Sequence, residues 1–241
     1  MKLMFRLIVL LFAAVMCVSS QIDAYELVWQ PSGLNPGDQY QLAFVTDDRY
    51  SATSYIITDY DALVQAEANA ADIGTGSTLF GQSIIWSVIG STTLVDAREH
   101  ALVQAPVYNL AGMLVAHDYN DMWDGQLVSG QHGFRFTPGG DYLGYREVWT
   151  GTGADGTRFF NHGLGYNSVT WGSTSYFDER WIQYLNQQAV ISPLGQVQMG
   201  LYALSEVITV PEPVPVPATL LLFGSGCAGL IGMMRRKKKQ N

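Results

Sequence analysis

Apolar and polar positions alternate along Gln39, Tyr40, Gln41, Leu42, Ala43, Phe44, Val45 and Thr46, although the alternation is only partial. The run is rich in β-formers, so it predicts a strand. A turn at 34–37 precedes it, and a polar loop at 47–54 follows. The period then changes. Tyr60, Leu63, Val64, Ala68 and Ala71 fall on one helical face, which predicts a helix over 58–73. Thr58 with Asp61 resembles a capping box, and Gly74 supplies a stop. Residues 84–89, around Trp86, read as a second buried strand, and 90–93 turn into a short helix over 94–102. Beyond Ala105 the elements shorten. Strands at 107–109 and 113–115 flank a turn at Ala111-Gly112. Residues 119–123 are expected to form one helical turn closed by Asp124-Gly125, 181–188 a short helix, and 199–205 a closing strand.

The two ends carry other patterns. Lys2 and Arg6 lead into an apolar run, 7–18, followed by Ser19, Ser20 and Ala24. This is the three-part layout of a secretory signal peptide, with cleavage expected near Ser20 or Ala24. Cys17 follows Met16 rather than a small residue, which argues against a lipidated cysteine. At the other end, Pro211, Glu212, Pro213, Pro215 and Pro217 mark an extended spacer. Residues 218–234 then carry no charge, and Arg235, Arg236, Lys237, Lys238 and Lys239 follow at once. The uncharged run is at the short end of what spans a bilayer core of about 30 Å. In lipid it has to be helical, with the cations on the cytoplasmic side. The expected organisation is a signal peptide (1–24), one folded domain (25–206), a proline-rich spacer (207–217), a transmembrane helix (218–234) and a basic cytoplasmic tail (235–241).

Charge sharpens this picture. The net charge is −8, yet residues 25–217 hold six Arg, no Lys and twenty Asp or Glu. So acidic a domain argues against nucleic acid and anionic membrane surfaces as partners. Both cysteines, Cys17 and Cys227, lie in the hydrophobic ends. The domain therefore has no disulfide, no Cys-ligated zinc and no cysteine nucleophile. Its length is enough for one well-buried core.

Little in the domain points to catalysis. It has no Gly-x-Ser-x-Gly elbow, and His100, His117, His132 and His162 have no HExxH or similar spacing. Asp118, Asn120, Asp121 and Asp124, with Gly125 after them, are calcium candidates through oxygen. Their spacing is not that of an EF-hand, and Asx-turns or helix caps use the same residues. Asp178-Glu179 and Asp47-Asp48 invite a glycosidase reading. Adjacent strand residues point apart, however, and nothing in the sequence raises one pKa. No catalytic residue, metal or cofactor is assigned. Six Trp and thirteen Tyr leave sugar stacking as the remaining signal. Trp86, Trp123 and Trp149 are expected in the core. Trp29, Trp171 and Trp181, in polar or glycine-rich surroundings, are the freer candidates.

Two stretches resemble known families. Pro-Glu-Pro at 211–213, Pro-Ala-Thr-Leu-Leu-Leu-Phe-Gly at 217–224, the apolar segment and the Arg/Lys stop are similar to the bacterial PEP-CTERM sorting signal. Pro-Glu-Pro lies four residues earlier here than in the family pattern. The resemblance implies an exported protein of an exopolysaccharide-producing Gram-negative bacterium. It would be anchored in the inner membrane, recognised there by an exosortase, and passed to the cell surface or extracellular matrix. Within the domain, Trp86-Ser87-Val88-Ile89-Gly90-Ser91, Ala105-Pro106-Val107-Tyr108-Asn109-Leu110, Trp123-Asp124-Gly125, Val148-Trp149-Thr150-Gly151 and Asp155-Gly156 occur in an order that resembles endostatin-like members of the C-type-lectin-like fold. This implies an α+β domain whose first and last strands pair around a long loop region. The paired cysteines and calcium-binding triplets of the sugar-binding members are absent, so calcium-dependent binding is not implied. Neither is heparin affinity, which needs a basic face. The expectation is a non-catalytic adhesion or glycan-binding module of the exopolysaccharide layer. A secreted glycan hydrolase and a purely structural coat protein are the alternatives.

Overall fold

The computed structural model describes residues 28, 30–73, 83–128, 133–191 and 195–212. The signal segment, Trp29, Gly74, His132, Pro213, Pro215, Pro217, the apolar run and the basic cluster lie outside the described residues. No helix among the described residues is long and apolar enough to cross a membrane.

The fold is α+β. It begins with β1 (Gln39–Val45), β2 (Tyr50–Ser51), α1 (Ile57–Ala70), β3 (Trp86–Val88) and α2 (Ala97–His100). It continues through β4 (Val107–Asn109), β5 (Leu114–Ala116), α3 (Tyr119–Met122), β6 (Glu147–Trp149) and β7 (Ser168–Ser173). A 3₁₀ turn at Glu179–Trp181 leads to β8 (Leu185–Gln188), β9 (Val190–Ile191), β10 (Gly195–Gln196), β11 (Gln198–Met199), β12 (Tyr202–Ser205) and β13 (Ile208–Thr209).

The main sheet has the order β3-β12-β1-β4-β5, with β13 also paired to β1. β1 lies antiparallel to β12 and β13 and parallel to β4. Its alternation was partial in the sequence because both faces are covered. Tyr40, Leu42 and Phe44 enter one core with Tyr60, Val64 and Ala68 of α1 and with Trp86, Val88 and Trp149. Ala43 and Val45 enter a second core with Val107, Trp123, Trp181 and Tyr202. A smaller antiparallel sheet, β6-β7-β8, carries the loop-rich middle of the chain.

Several expectations change. The helix face is as read, but the capping box is not formed. α1 starts after Ile56, with no side-chain cap. Asp61 is occupied elsewhere: its Oδ1 accepts from the Val88 amide at 2.9 Å and lies 2.8 Å from His100 Nε2. The helix expected at 181–188 is a 3₁₀ turn followed by strand β8, which pairs with β7 from Ser168↔Gln188 to Trp171↔Leu185. The buried amides of β7 need partners on both sides, and that requirement overrides a polar, helix-compatible sequence. The closing strand at 199–205 is two strands, β11 and β12. The fold also runs further than Glu206. Gln39 pairs with Thr209, Gly37 donates to the Val210 carbonyl at 2.9 Å, and the boundary between compact units falls after Val210. Residues 207–210, expected in the spacer, therefore belong to the folded unit.

Glu67 ties α1 to the loop after β1. Its carboxylate accepts from the amides of Asp47 (2.8 Å) and Asp48 (3.1 Å) and from the Tyr50 hydroxyl (2.7 Å). Burial raises its pKa above the ordinary glutamate value, against the pull of those three donors. Between the ordinary and the raised value the folded state binds more protons than the unfolded one, so stability falls as pH rises through that window. Asp155 and Asp178, whose pKa values are lowered, contribute the opposite slope. A difference curve separates them. The unfolding free energy of the wild type minus that of Glu67→Gln is expected to shrink as pH rises through this window, measured by urea denaturation. A difference that grows with pH would overturn the assignment.

Candidate functional site

The acidic stretch after β5 spends its carboxylates on its own backbone. Asp118 Oδ1 caps α3, accepting from the amides of Asn120 (2.8 Å) and Asp121 (3.1 Å). Asp121 Oδ2 accepts from the His117 amide at 2.6 Å, and Asp124 Oδ1 from the Gln126 amide at 2.7 Å. The side chains thus shape the turn one after another. Among the described residues no three His, Cys, Asp or Glu side chains converge on a point that could hold a metal ion.

The other sequence candidates are also dispersed. His100 sits against Asp61, and the His162 ring lies 3.2 Å from the Ser168 carbonyl and beside Phe159. Asp47 and Asp48 belong to the loop held by Glu67. Asp178 and Glu179 open the 3₁₀ turn, where Asp178 acts as its N-cap.

The aromatic residues sort differently from the sequence reading. Trp86, Trp123 and Trp149 are buried, as expected. Trp171 and Trp181, the freer candidates, are buried too, at 7% and 0% exposure. Trp181 is packed 5.1 Å from Phe134 and 5.8 Å from Tyr202, between ring centroids. Among the described residues the exposed rings are Phe160 and four tyrosines, including Tyr145 at 58%.

Tyr145 stands near the end of β7, where the half-buried Tyr176 and Tyr184 also lie. A cleft of about 420 Å³ is lined by Gln126, Leu127, the 175–178 segment and Arg180. The segment is fixed from both sides. Arg135 donates from Nε to the Thr174 carbonyl (2.7 Å) and from Nη2 to the Ser175 carbonyl (2.8 Å), and it lies 5.0 Å over the Phe177 ring. The Leu127 amide donates to the Phe177 carbonyl at 2.7 Å. Asp178 holds Arg180 in a fork, with Nε to Oδ1 at 2.8 Å and Nη2 to Oδ2 at 2.5 Å. The guanidinium beside it keeps the Asp178 carboxyl below the usual range. Arg180 also lies 3.9 Å over the Tyr176 ring. Tyr184 follows, 5.1 Å from Tyr176 and edge-on to Trp171 at 4.9 Å. Tyr145 donates to Glu147 Oε1 at 3.2 Å. Its pKa is raised by burial and by Glu147. The Ser175 hydroxyl donates to the Gly144 carbonyl at 3.0 Å, which brings Tyr145 beside the 175–178 segment.

This arrangement has stacking faces, fixed hydroxyls and one charge-paired fork. It suits binding of a polar ring more than covalent chemistry. The sequence reading missed it because its parts lie in separate segments, and the local cue was modest: aromatic residues spaced among charges at 176–184. No family model matches the chain, and no curated protein matches it.

Proposed function

We propose that this chain is an exported bacterial surface or extracellular-matrix protein, sorted by an exosortase, whose domain is a non-catalytic glycan-binding or adhesion module. The observation that carries the reading is the order of the tail: proline-rich spacer, uncharged run 218–234 and Arg/Lys stop 235–239. Each part has a physical task in a membrane-borne sorting signal. Pro211 and Glu212, the first residues of that spacer, are exposed directly after the folded unit ends at Val210.

The finer reading of the domain is a C-type-lectin-like, endostatin-like fold. It is supported by the pairing of β1 with β12 and β13, by α1 following β1, and by the long stretch of short elements between them. A fold does not fix a function, so binding rests on the tail's association with exopolysaccharide and on the cleft bordered by Tyr176 and Arg180. The acidic domain keeps nucleic acid out of the proposal.

Neutralising Arg235, Arg236, Lys237, Lys238 and Lys239 together is expected to impair membrane retention and processing. The check is the mature mass and the cell-fraction location of the protein in its host. An unchanged mass and location would count against exosortase sorting.

A further inference from the structure

We propose that the cleft bordered by Tyr176 and Arg180, with Tyr145 beside it, is the glycan subsite of this domain, and that it takes neutral hexose rings in preference to uronates. This rests on the glycan-binding reading above and goes further by naming the site and the sugar class. Three observations carry it.

The first is the supply of ring faces. Tyr145 is 58% exposed, and Tyr176 and Tyr184 are half-buried 5.1 Å apart. The C–H face of a pyranose is apolar and packs on such rings, while its hydroxyls need donors and acceptors at the rim. The phenol hydroxyls, Ser175 and Gln126 provide both kinds.

The second is that the site is held in place before any ligand arrives. Arg180 is fixed by Asp178 and by the Tyr176 ring, and the 174–175 carbonyls are fixed by Arg135. Binding to a rigid site forfeits less side-chain entropy than ordering a loose one. The Asp178–Arg180 fork leaves an N–H edge and carboxylate lone pairs side by side, which is what a pair of neighbouring sugar hydroxyls requires.

The third is charge. Arg180 is already neutralised by Asp178, and Glu147 and Glu179 add negative charge nearby. Arg135 is committed to backbone carbonyls and to the Tyr142 hydroxyl. Among the described residues a uronate carboxylate would meet no uncommitted cation and several anions, so the local field disfavours it.

The test uses the full-length protein in a zwitterionic detergent, because a sugar-headed detergent would compete for the site. Gluco-, manno- and galacto-oligosaccharides and oligouronates of equal length are titrated by calorimetry. At least one neutral series is expected to bind and the uronates not. Tyr145→Ala and Tyr176→Ala are each expected to weaken binding about tenfold or more. Tyr55→Ala, an equally exposed tyrosine outside the cleft, is expected to leave binding unchanged. Tyr145 is exposed enough that its loss does not threaten the fold, and the melting temperature checks this. Neutral-glycan binding that survives both cleft variants would overturn the site and leave the glycan-binding reading standing. Uronate binding equal to or tighter than neutral binding would overturn the sugar class. No binding to either class by the wild type would overturn both.

Discussion

Gly172→Ala is expected to cost about 3–5 kcal/mol, enough to leave much of the domain unfolded if its stability is ordinary for its size. A β-carbon at this position would clash directly with the Trp181 carbonyl oxygen, and it would stand 2.5 Å from that carbonyl carbon and 2.8 Å from Ile182 Cα. These are backbone atoms, so no side chain can swing aside. Relief requires β7 and the 3₁₀ turn to separate. Separation strains the Thr150 hydroxyl bond to the Ile182 carbonyl, now 2.6 Å, and lifts the Trp181 ring from Phe134 and Tyr202. Overpacking in a dense core is costly because the neighbours have nowhere to go. Gly139→Ala is the control. Its β-carbon would meet only Thr137 Oγ1 at 3.8 Å, so near-neutral behaviour is expected. Urea denaturation followed by tryptophan fluorescence compares the two. A Gly172→Ala midpoint close to wild type would show that the turn can move off the strand freely. The same separation would displace Arg180, so the proposed glycan binding is expected to fail with the fold.

That contact also shows why part of the fold was legible in the sequence and part was not. α1 was readable because it shows its period within one continuous run, and β1 because its β-formers stand together in one. Tyr60, Val64 and Ala68 are one face of a helix whatever they pack against. The β6-β7-β8 sheet has no such local signature. β6 and β7 sit in glycine-rich sequence, and β8 reads Leu-Asn-Gln-Gln, which is mostly exposed. Its strands exist because they pair with each other, and pairing between distant segments leaves no periodic trace in any one of them. The aromatic residues were misassigned for a related reason. Trp181 follows Asp178, Glu179 and Arg180, so its surroundings in sequence are polar. The 3₁₀ turn sends the charges outward and the indole inward, to 0% exposure. The indole nitrogens of Trp123 and Trp181 and the Tyr202 hydroxyl are buried with no hydrogen-bond partner among the described residues, so this core is held by packing rather than polar satisfaction. The cleft assembles residues near 126 and 175–180, with Tyr145 and Tyr184 beside it. Only the turn after β7, pinned by Arg135, brings them to one place.

The second large effect is expected at Gln41, the one side-chain amide of β1 that is wholly buried, at 1% exposure. In an alternating strand it looks like an outward-facing position, yet it is saturated. Its Nε2 donates to the carbonyls of Leu102 (3.0 Å) and Ser205 (2.7 Å), and its Oε1 accepts from the amides of Gln104 (2.7 Å) and Ala105 (3.2 Å). One amide thereby joins the central strand, the segment after α2, and the end of β12 where pairing passes on to β13. Ser205 completes the junction by accepting from the Leu42 amide at 2.8 Å. Gln41→Leu keeps most of the volume but leaves two donors and two acceptors of the backbone without partners. Each orphan costs about 1–3 kcal/mol, and since neighbouring losses do not add fully, about 3–5 kcal/mol in total is expected. Gln41→Glu separates polarity from shape. The carboxylate still accepts from Gln104 and Ala105, but it faces the carbonyls of Leu102 and Ser205 with lone pairs and carries a buried charge. This variant is expected to be strongly destabilised at neutral pH and to regain stability as pH falls, when a protonated carboxyl supplies one donor. Urea midpoints measured across the acidic range, with hydrogen exchange at the Gln104 and Ala105 amides, read both effects. A loss below about 1 kcal/mol for Gln41→Leu would mean that water can replace all four bonds. In that case the C-terminal strands are joined to the sheet by their own pairing, and the side chain adds little to it.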